Sequence, residues 1–231
     1  MLFRVVDFET TGMPPEAALC EIGYCDVDTS DGDKIGQPVG MLVNPNRPMP
    51  PEARAIHHIS DRDLVDAPSI DTGLITLNHP SVDVFVAHNM AFEREFFTGG
   101  AKNWICTLKV GRRLWPECPS HSNQCLRYYL GIELDDALAM PPHRAAPDAY
   151  VTAHILVEAF KAGASLADMI VWSAGPSLLP RVTFGKHRGQ AWKDLPGDYL
   201  DWIVRKSDMD ADTKFTARHH LEERRKAAAW P

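Results

Sequence analysis

The 231-residue chain lacks several features that would narrow its role at once. No apolar run approaches the roughly 18–20 residues of a membrane span. The opening stretch MLFRVVDFE has neither the apolar core nor the cleavage site of a secretory signal. Five cysteines (Cys20, Cys25, Cys106, Cys118 and Cys125) form no CxxC pair. An odd count without a secretion signal favours reduced thiols in a cytoplasmic protein. There is no internal repeat, no low-complexity tract and no GxxxxGK[ST] phosphate loop. Positive charge is also in short supply: 24 Lys+Arg stand against 31 Asp+Glu, a formal net charge of -7. From residue 176 onward the balance is 11 basic to 8 acidic, leaving 13 basic to 23 acidic in the body. An acidic body does not by itself attract a polyanion. Bound divalent cations would invert that locally, being often the largest charges in a site.

What is present is an ordinary globular balance, 45% hydrophobic and 24% charged, with length for one medium domain and a small extra one. Residues 2–8, 17–28 and 36–43 read as strands, the first two apolar or alternating and the last two separated by the turn cluster TSDGDK. Residues 50–58 read as a short helix and 82–87 as a fully buried strand. Residues 90–97, 107–115 and 123–130 read as helices. The clearest helix is 147–163, with Val151, Thr152, Ile155, Leu156, Ala159 and Phe160 on one stripe and Gly163 past its end. Strands first, then alternating helices and strands, predict a mixed-sheet α/β layer domain over residues 1–172. Residues 173–180 (SAGPSLLP) read as a linker. Residues 181–231 read as a small α+β module: a short strand, a basic turn, a helix and a charged final helix.

Two oddities carry the chemistry. In VVDFETTG, Asp7 and Glu9 are two residues apart, so a strand points both carboxylates to one face. Like charges so placed resist ionising unless a cation sits between them. Asp148 heads the core-facing stripe of the 147–163 helix, another carboxylate on an apolar face. Glu93 in the helix after the 82–87 strand, and His143 five residues before Asp148, complete a set of four carboxylates and one imidazole at element ends. Oxygen-only ligation suits Mg²⁺ or Mn²⁺ rather than zinc, and two such ions about 3.5–4 Å apart form a clamp for in-line displacement at phosphorus. Imidazole is the side chain suited to take a water proton near neutral pH.

The segments DFETTG, HNMAFE and HRAAPD, in this order and spacing, resemble the three motifs of the DEDDh 3′→5′ exonucleases. The resemblance covers nearly the whole chain. It implies an RNase H-like fold, a mixed central sheet flanked by helices, and hydrolysis with two Mg²⁺ ions for which Mn²⁺ substitutes. It makes Asp7, Glu9 and Asp148 the direct metal ligands, His143 the general base, and Glu93 the occupant of a position usually held by aspartate. Glutamate adds one methylene, roughly 1.5 Å of reach. Thr10, Thr11, Gly12 and Met13 lie where the family holds the 3′-terminal nucleotide. The turn they form offers backbone N–H groups and close approach, and Met13 an apolar wedge beside a base. His88 and Asn89 join the candidate substrate contacts, although Asn89 also suits a helix cap and His88 a satisfied histidine near the core.

The expected activity is release of 5′-mononucleotides from DNA 3′ ends, single-stranded or frayed, in DNA repair. A 3′→5′ exoribonuclease, or a 3′-end binder weakened by Glu93, stays open beside it. Lys109, Arg112 and Arg113 share a helix face and read equally as solvated charge or a phosphate track. Lys186, His187 and Arg188 form a basic turn of equally open role. Cys118, His121 and Cys125 lack a fourth ligand and read as buried or loop residues. Trp192, Tyr199 and Trp202 read as the small module's core.

Overall fold

A computed structural model describes residues 1–229. The chain opens with β1 (Leu2–Thr10), β2 (Leu19–Asp28), β3 (Lys34–Ile35) and β4 (Val39–Leu42), followed by α1 (Pro51–His57), α2 (Asp61–Leu64) and α3 (Ile70–Leu77). Next come β5 (Val82–Ala87), α4 (Met90–Phe96), β6 (Asn103–Cys106), α5 (Thr107–Leu114), α6 (Asn123–Tyr129) and α7 (Asp136–Ala139). The long α8 (Ala145–Lys161), α9 (Leu166–Ala174), α10 (Gly197–Lys206) and α11 (Ala211–Ala229) complete the order.

The sheet runs β3-β2-β1-β5-β6, with β4 also pairing β2. β1 is antiparallel to β2 and parallel to β5, and β5 is parallel to β6. This is the mixed sheet flanked by helices that the sequence predicts. The expected strand 36–43 is shortened to β4, and β3, which precedes it, lies along the same edge of β2; the segment between them contains Pro38, which has no N–H to donate.

Alternation along β1 sorts the two cores. Phe3 and Val5 pack with Ala149, Ala153 and Leu156 of α8, and Val6 and Phe8 with Leu77, Met90 and Phe97 on the opposite face. Asp7 and Glu9 therefore continue the Phe3–Val5 row, the row covered by α8. Gly23 on β2 allows α8 to sit directly on the sheet, since a Cβ there would lie 2.2 Å from the Ala145 carbonyl carbon.

The C-terminal residues have a third core around Val182, Trp192, Leu195, Leu200, Ile203 and Ala217. Three readings need correction here. The expected short strand is a single bridge, Arg181 to Ala191, closed by Val182 and Gly189–Gln190 backbone bonds around a tight turn, so the module is built of helices and turns. Ser173 belongs to α9 rather than to a linker, its hydroxyl donating to the Met169 carbonyl and accepting from Cys106 N–H. Trp192 is buried, but Trp202 is 42% exposed and stacks outside on Tyr199, 5.6 Å between ring centres.

Candidate active site

Asp7, Glu9 and Asp148 come together at the end of β1 where α8 begins. A carboxylate oxygen from each lies within 4.8 Å of the others. Two elements explain the meeting. β1 aims its odd-numbered residues at α8, and α8 starts over β2 so that its first turn presents Asp148. Register slips by one residue between Glu9 and Thr10, a bulge that leaves Cys20 of β2 unpaired beside the site.

Burial of this cluster sets its electrostatics. Burial first, then the Asp148 carboxylate and Glu9, holds Asp7 well above the ordinary carboxylate range. Glu9 is pushed up to about 8 by burial, then by Asp148 and Glu21, with Arg144 opposing. Asp148 is also raised by burial, despite accepting the His143 backbone N–H at 2.8 Å. Glu93 is 4% exposed, pushed up to about 8 by burial with Glu9 adding to it, and its Oε2 has no hydrogen-bond partner among the described residues. Asp7 and Glu9 both feel or exert repulsion with Glu93, so the α4 carboxylate belongs to the same field. Crowded carboxylates without cationic partners, plus an orphaned buried oxygen, fit a divalent cation bound through oxygen.

His143 follows the Pro141-Pro142 pair on an exposed loop with φ +59°, a conformation that costs a non-glycine residue about 1–3 kcal/mol. Its backbone N–H is thereby aimed at Asp148, which ties the loop to the carboxylate. Thr10 and Thr11 are buried and hold the turn: Thr10 donates to the Gly12 carbonyl at 2.6 Å, and Thr11 accepts from Ala18 N–H at 3.0 Å. The Thr11 N–H is used by the Ala18 carbonyl, so the turn offers fewer free N–H groups than its sequence suggests. Gly12, at φ +148°, has open space where a Cβ would stand, and Met13 beside it is 74% exposed. Met13, Asn89, Phe92 and Glu95 line a hollow of about 410 Å³.

His88 and Asn89 take different parts. The His88 ring is tied at both nitrogens, to Thr107 Oγ1 at 3.0 Å and the His121 carbonyl at 2.8 Å, and burial pushes it down to about 4. It is a strut. Asn89 is exposed and makes no side-chain capping bond to α4, which leaves its amide to the hollow.

Several positioning residues escaped the sequence reading. Glu21 stands directly across from Glu9 in the β1–β2 ladder. It receives both Arg144 Nε (2.9 Å) and a terminal guanidinium nitrogen (2.6 Å), and its Oε2 accepts the Ala145 N–H at 2.9 Å. A side chain from β2 thus caps α8, which is why the helix starts at Ala145 and not at 147. Asn123 donates to the Asp148 carbonyl and Thr152 hydroxyl. His57, with Nδ1 accepting from Ile59 N–H, directs Nε2–H to the Thr10 carbonyl at 3.3 Å. The only early signal was Glu21's charge on an alternating strand; its place opposite Glu9, like the others, needed the fold.

The basic face of α5 is not free. Lys109 donates to the Ser173 and Gly175 carbonyls, Arg112 to Ser177 Oγ, and Arg113 lies over Trp172 and Phe215. These cations join the body to the C-terminal residues. Cys118 donates to the Ser120 carbonyl and His121 bonds the Trp115 carbonyl, consistent with structural roles.

The exonuclease family model matches residues 5–156. Exodeoxyribonuclease 10 of Escherichia coli strain K12 is 35% identical over 227 residues, covering 96% of this chain and 99% of that one. A solved structure of exonuclease X with 5′ overhanging duplex DNA superposes at TM-score 0.64 and 34% identity, covering 74% of this chain and 99% of that one. The nuclease domain of 3′hExo, a DEDDh member bound to rAMP, shares the fold at TM-score 0.57 and 18% identity, over 70% of this chain and 92% of that one.

Proposed function

The chain belongs to the exonuclease family, and we propose that it is a metal-dependent 3′→5′ exodeoxyribonuclease releasing 5′-mononucleotides from single-stranded or frayed DNA 3′ ends. The observation that carries the proposal is the mutual approach of Asp7, Glu9 and Asp148 within 4.8 Å. The 35% identical relative, an exodeoxyribonuclease by name, favours DNA as the polymer.

Asp7, Glu9 and Asp148 would hold Mg²⁺ or Mn²⁺, two ions per site, with Glu93 Oε2 the remaining buried donor. When bound, the ions supply the positive charge that lets a phosphodiester and a water share a pocket of carboxylates. The chain's own residues do the rest. Gly12 lets the terminal nucleotide approach the backbone, and exposed Met13 wedges against its base, so that the last phosphodiester lies over the carboxylates. His143, on a loop fixed by its N–H bond to Asp148, takes the proton from the attacking water. Attack at phosphorus breaks the bond to the 3′ oxygen of the preceding nucleotide, and a 5′-mononucleotide leaves. Prying the last nucleotide from its neighbour costs least in single strands and frayed ends, which sets the substrate preference. Trimming of 3′ ends in DNA repair is the corresponding role.

The test is incubation with 5′-labelled single-stranded DNA and Mg²⁺, with EDTA and an RNA of the same sequence in parallel. A ladder receding from the 3′ end of DNA, absent in EDTA, is the expected result. Shortening of RNA alone would overturn the polymer assignment, and no shortening of either would overturn the activity.

A further inference from the structure

A second hollow, of about 430 Å³, is lined in part by Asn89, which also lines the hollow beside Met13. It runs past Arg112 and Ser120 of the body to Arg181 and Thr183, residues on the C-terminal side of the α9 helix. Its wall contains two arginines and no aspartate or glutamate, in a chain of formal net charge -7. Arg181 is exposed, with one amino group on the Gly189 carbonyl and the other 3.2 Å from Glu117, itself exposed. So open an ion pair contributes little and yields readily to a stronger anion. Arg112 holds Ser177 Oγ, with Asp212 nearby.

The far wall is fixed in place. Lys109 binds the Ser173 and Gly175 carbonyls, Ser177 N–H bonds Asp212 Oδ1, and Leu179 N–H bonds Thr216 Oγ1. The segment between body and module is therefore pinned from both sides, and Arg181 is held at one position relative to Asn89.

Resting on the exonuclease reading, we propose that this groove carries the DNA strand upstream of the scissile bond, and that the C-terminal module, through Arg181, supplies a phosphate contact there. Asn89 lines both hollows, so the strand would pass it between the 3′-terminal nucleotide and the module. The acid-free lining is what a polyanion needs against an acidic body. Affinity should then rise with strand length beyond the nucleotides held at the catalytic carboxylates.

The experiment uses the full chain in Ca²⁺, with fluorescein-labelled oligothymidylates of 3 and 12 nucleotides, and reads Kd by anisotropy over a salt series. We expect the 12-mer to bind wild type at least tenfold more tightly than the 3-mer. Arg181→Glu should remove about tenfold of that advantage and reduce the log–log salt slope by about one, the signature of one lost phosphate contact. Arg181→Lys should keep most of it. Thr183→Glu, on the same wall and without a side-chain bond to lose, should weaken the 12-mer in the same direction. Melting curves verify that all three variants are folded. Unchanged 12-mer affinity and salt slope in Arg181→Glu and Thr183→Glu would overturn the proposal, as would equal losses on the 3-mer and 12-mer. Because binding is read without hydrolysis, the groove is tested separately from the activity. A wild type that binds with this length dependence yet never shortens DNA overturns only the proposed function.

Discussion

The two ends of β1 treat charge in opposite ways. Near its start, Arg4 is buried and fully matched: it meets both Asp26 oxygens at 2.8 and 2.7 Å, donates to the Thr76 and Leu77 carbonyls, and lies over the Tyr24 ring at 4.1 Å. Three and five residues on, Asp7 and Glu9 share a half-buried space with Asp148, with no cation among their direct contacts in the described residues. The strand and the sheet are common to both ends, but Arg4 faces the α3 side and the carboxylates face α8. The first arrangement serves the fold alone, since every guanidinium nitrogen finds an acceptor. The second works against the fold, because buried like charges are tolerated only where a ligand compensates them. A cluster of unmatched like charges is thus a better guide to function than burial or charge alone.

Breaking each end should give mirror-image results. The largest effect belongs to Asp7→Asn, which should lower nuclease turnover about a thousandfold, roughly 4 kcal/mol of barrier, while raising the melting temperature of the metal-free protein by relieving repulsion. Turnover assays and melts in EDTA check both halves. At the other end, Asp26→Ala strands the Arg4 guanidinium and should destabilise by roughly 3 kcal/mol, with turnover at low temperature kept within a few-fold. Denaturant titration beside an activity assay separates the two. If Asp26→Ala abolished turnover in the folded protein, the division of β1 into a structural and a chemical end would fail.

Glu21 lies between these cases, since it is matched like Arg4 but serves the site. Glu21→Ala removes the partner of Arg144 and the acceptor for Ala145 N–H, and should cost roughly 2 kcal/mol of stability given that Arg144 is partly exposed. Turnover should fall further than stability explains, because Asp148 rides on that helix turn. Glu21→Gln should restore part of both. Smaller still is Glu93→Asp, which withdraws an orphaned carboxylate by one methylene and should reduce kcat about tenfold, 1.4 kcal/mol. A rise in kcat would instead mark Glu93 as a handicap.

The smallest effect is on pH. Glu9 and Glu93 titrate near 8 in the folded chain and near the ordinary glutamate range when unfolded. Between those values the folded state binds more protons, so stability declines as pH rises from about 5 to 8. Metal-free protein should lose a few degrees of melting temperature across that window, about 5 °C, and added Mg²⁺ should recover it more at pH 8 than at pH 6. A melting temperature that climbed with pH in EDTA would contradict the raised carboxylates.

Much of the site was legible early because motif spacing encodes it. Asp7 and Glu9 share a face by the two-residue period of a strand, and Asp148 heads a stripe by the helical period, so three of the carboxylates stood out from their surroundings. The charge matching did not stand out. Lys109, Arg112 and Arg113 read as a possible phosphate track, yet their partners are carbonyls, a hydroxyl and aromatic rings 59 to 102 residues away in the chain. Asn89 looked like a cap and makes no capping bond, whereas α8 is capped by Glu21, 124 residues from Ala145. Local pattern carries no information about which distant acceptor a donor will meet.

The sequence alone determined the alternation of strands and helices, the mixed α/β class and the identity of the carboxylate set, because these follow from periodicity and side-chain chemistry within short windows. Only the tertiary structure decided which charges are neutralised and which are left for a ligand, where α8 begins, and which basic residues remain open to a polyanion. Those outcomes depend on contacts between residues far apart in the chain, and desolvation and hydrogen-bond partners exist only once such residues are brought together.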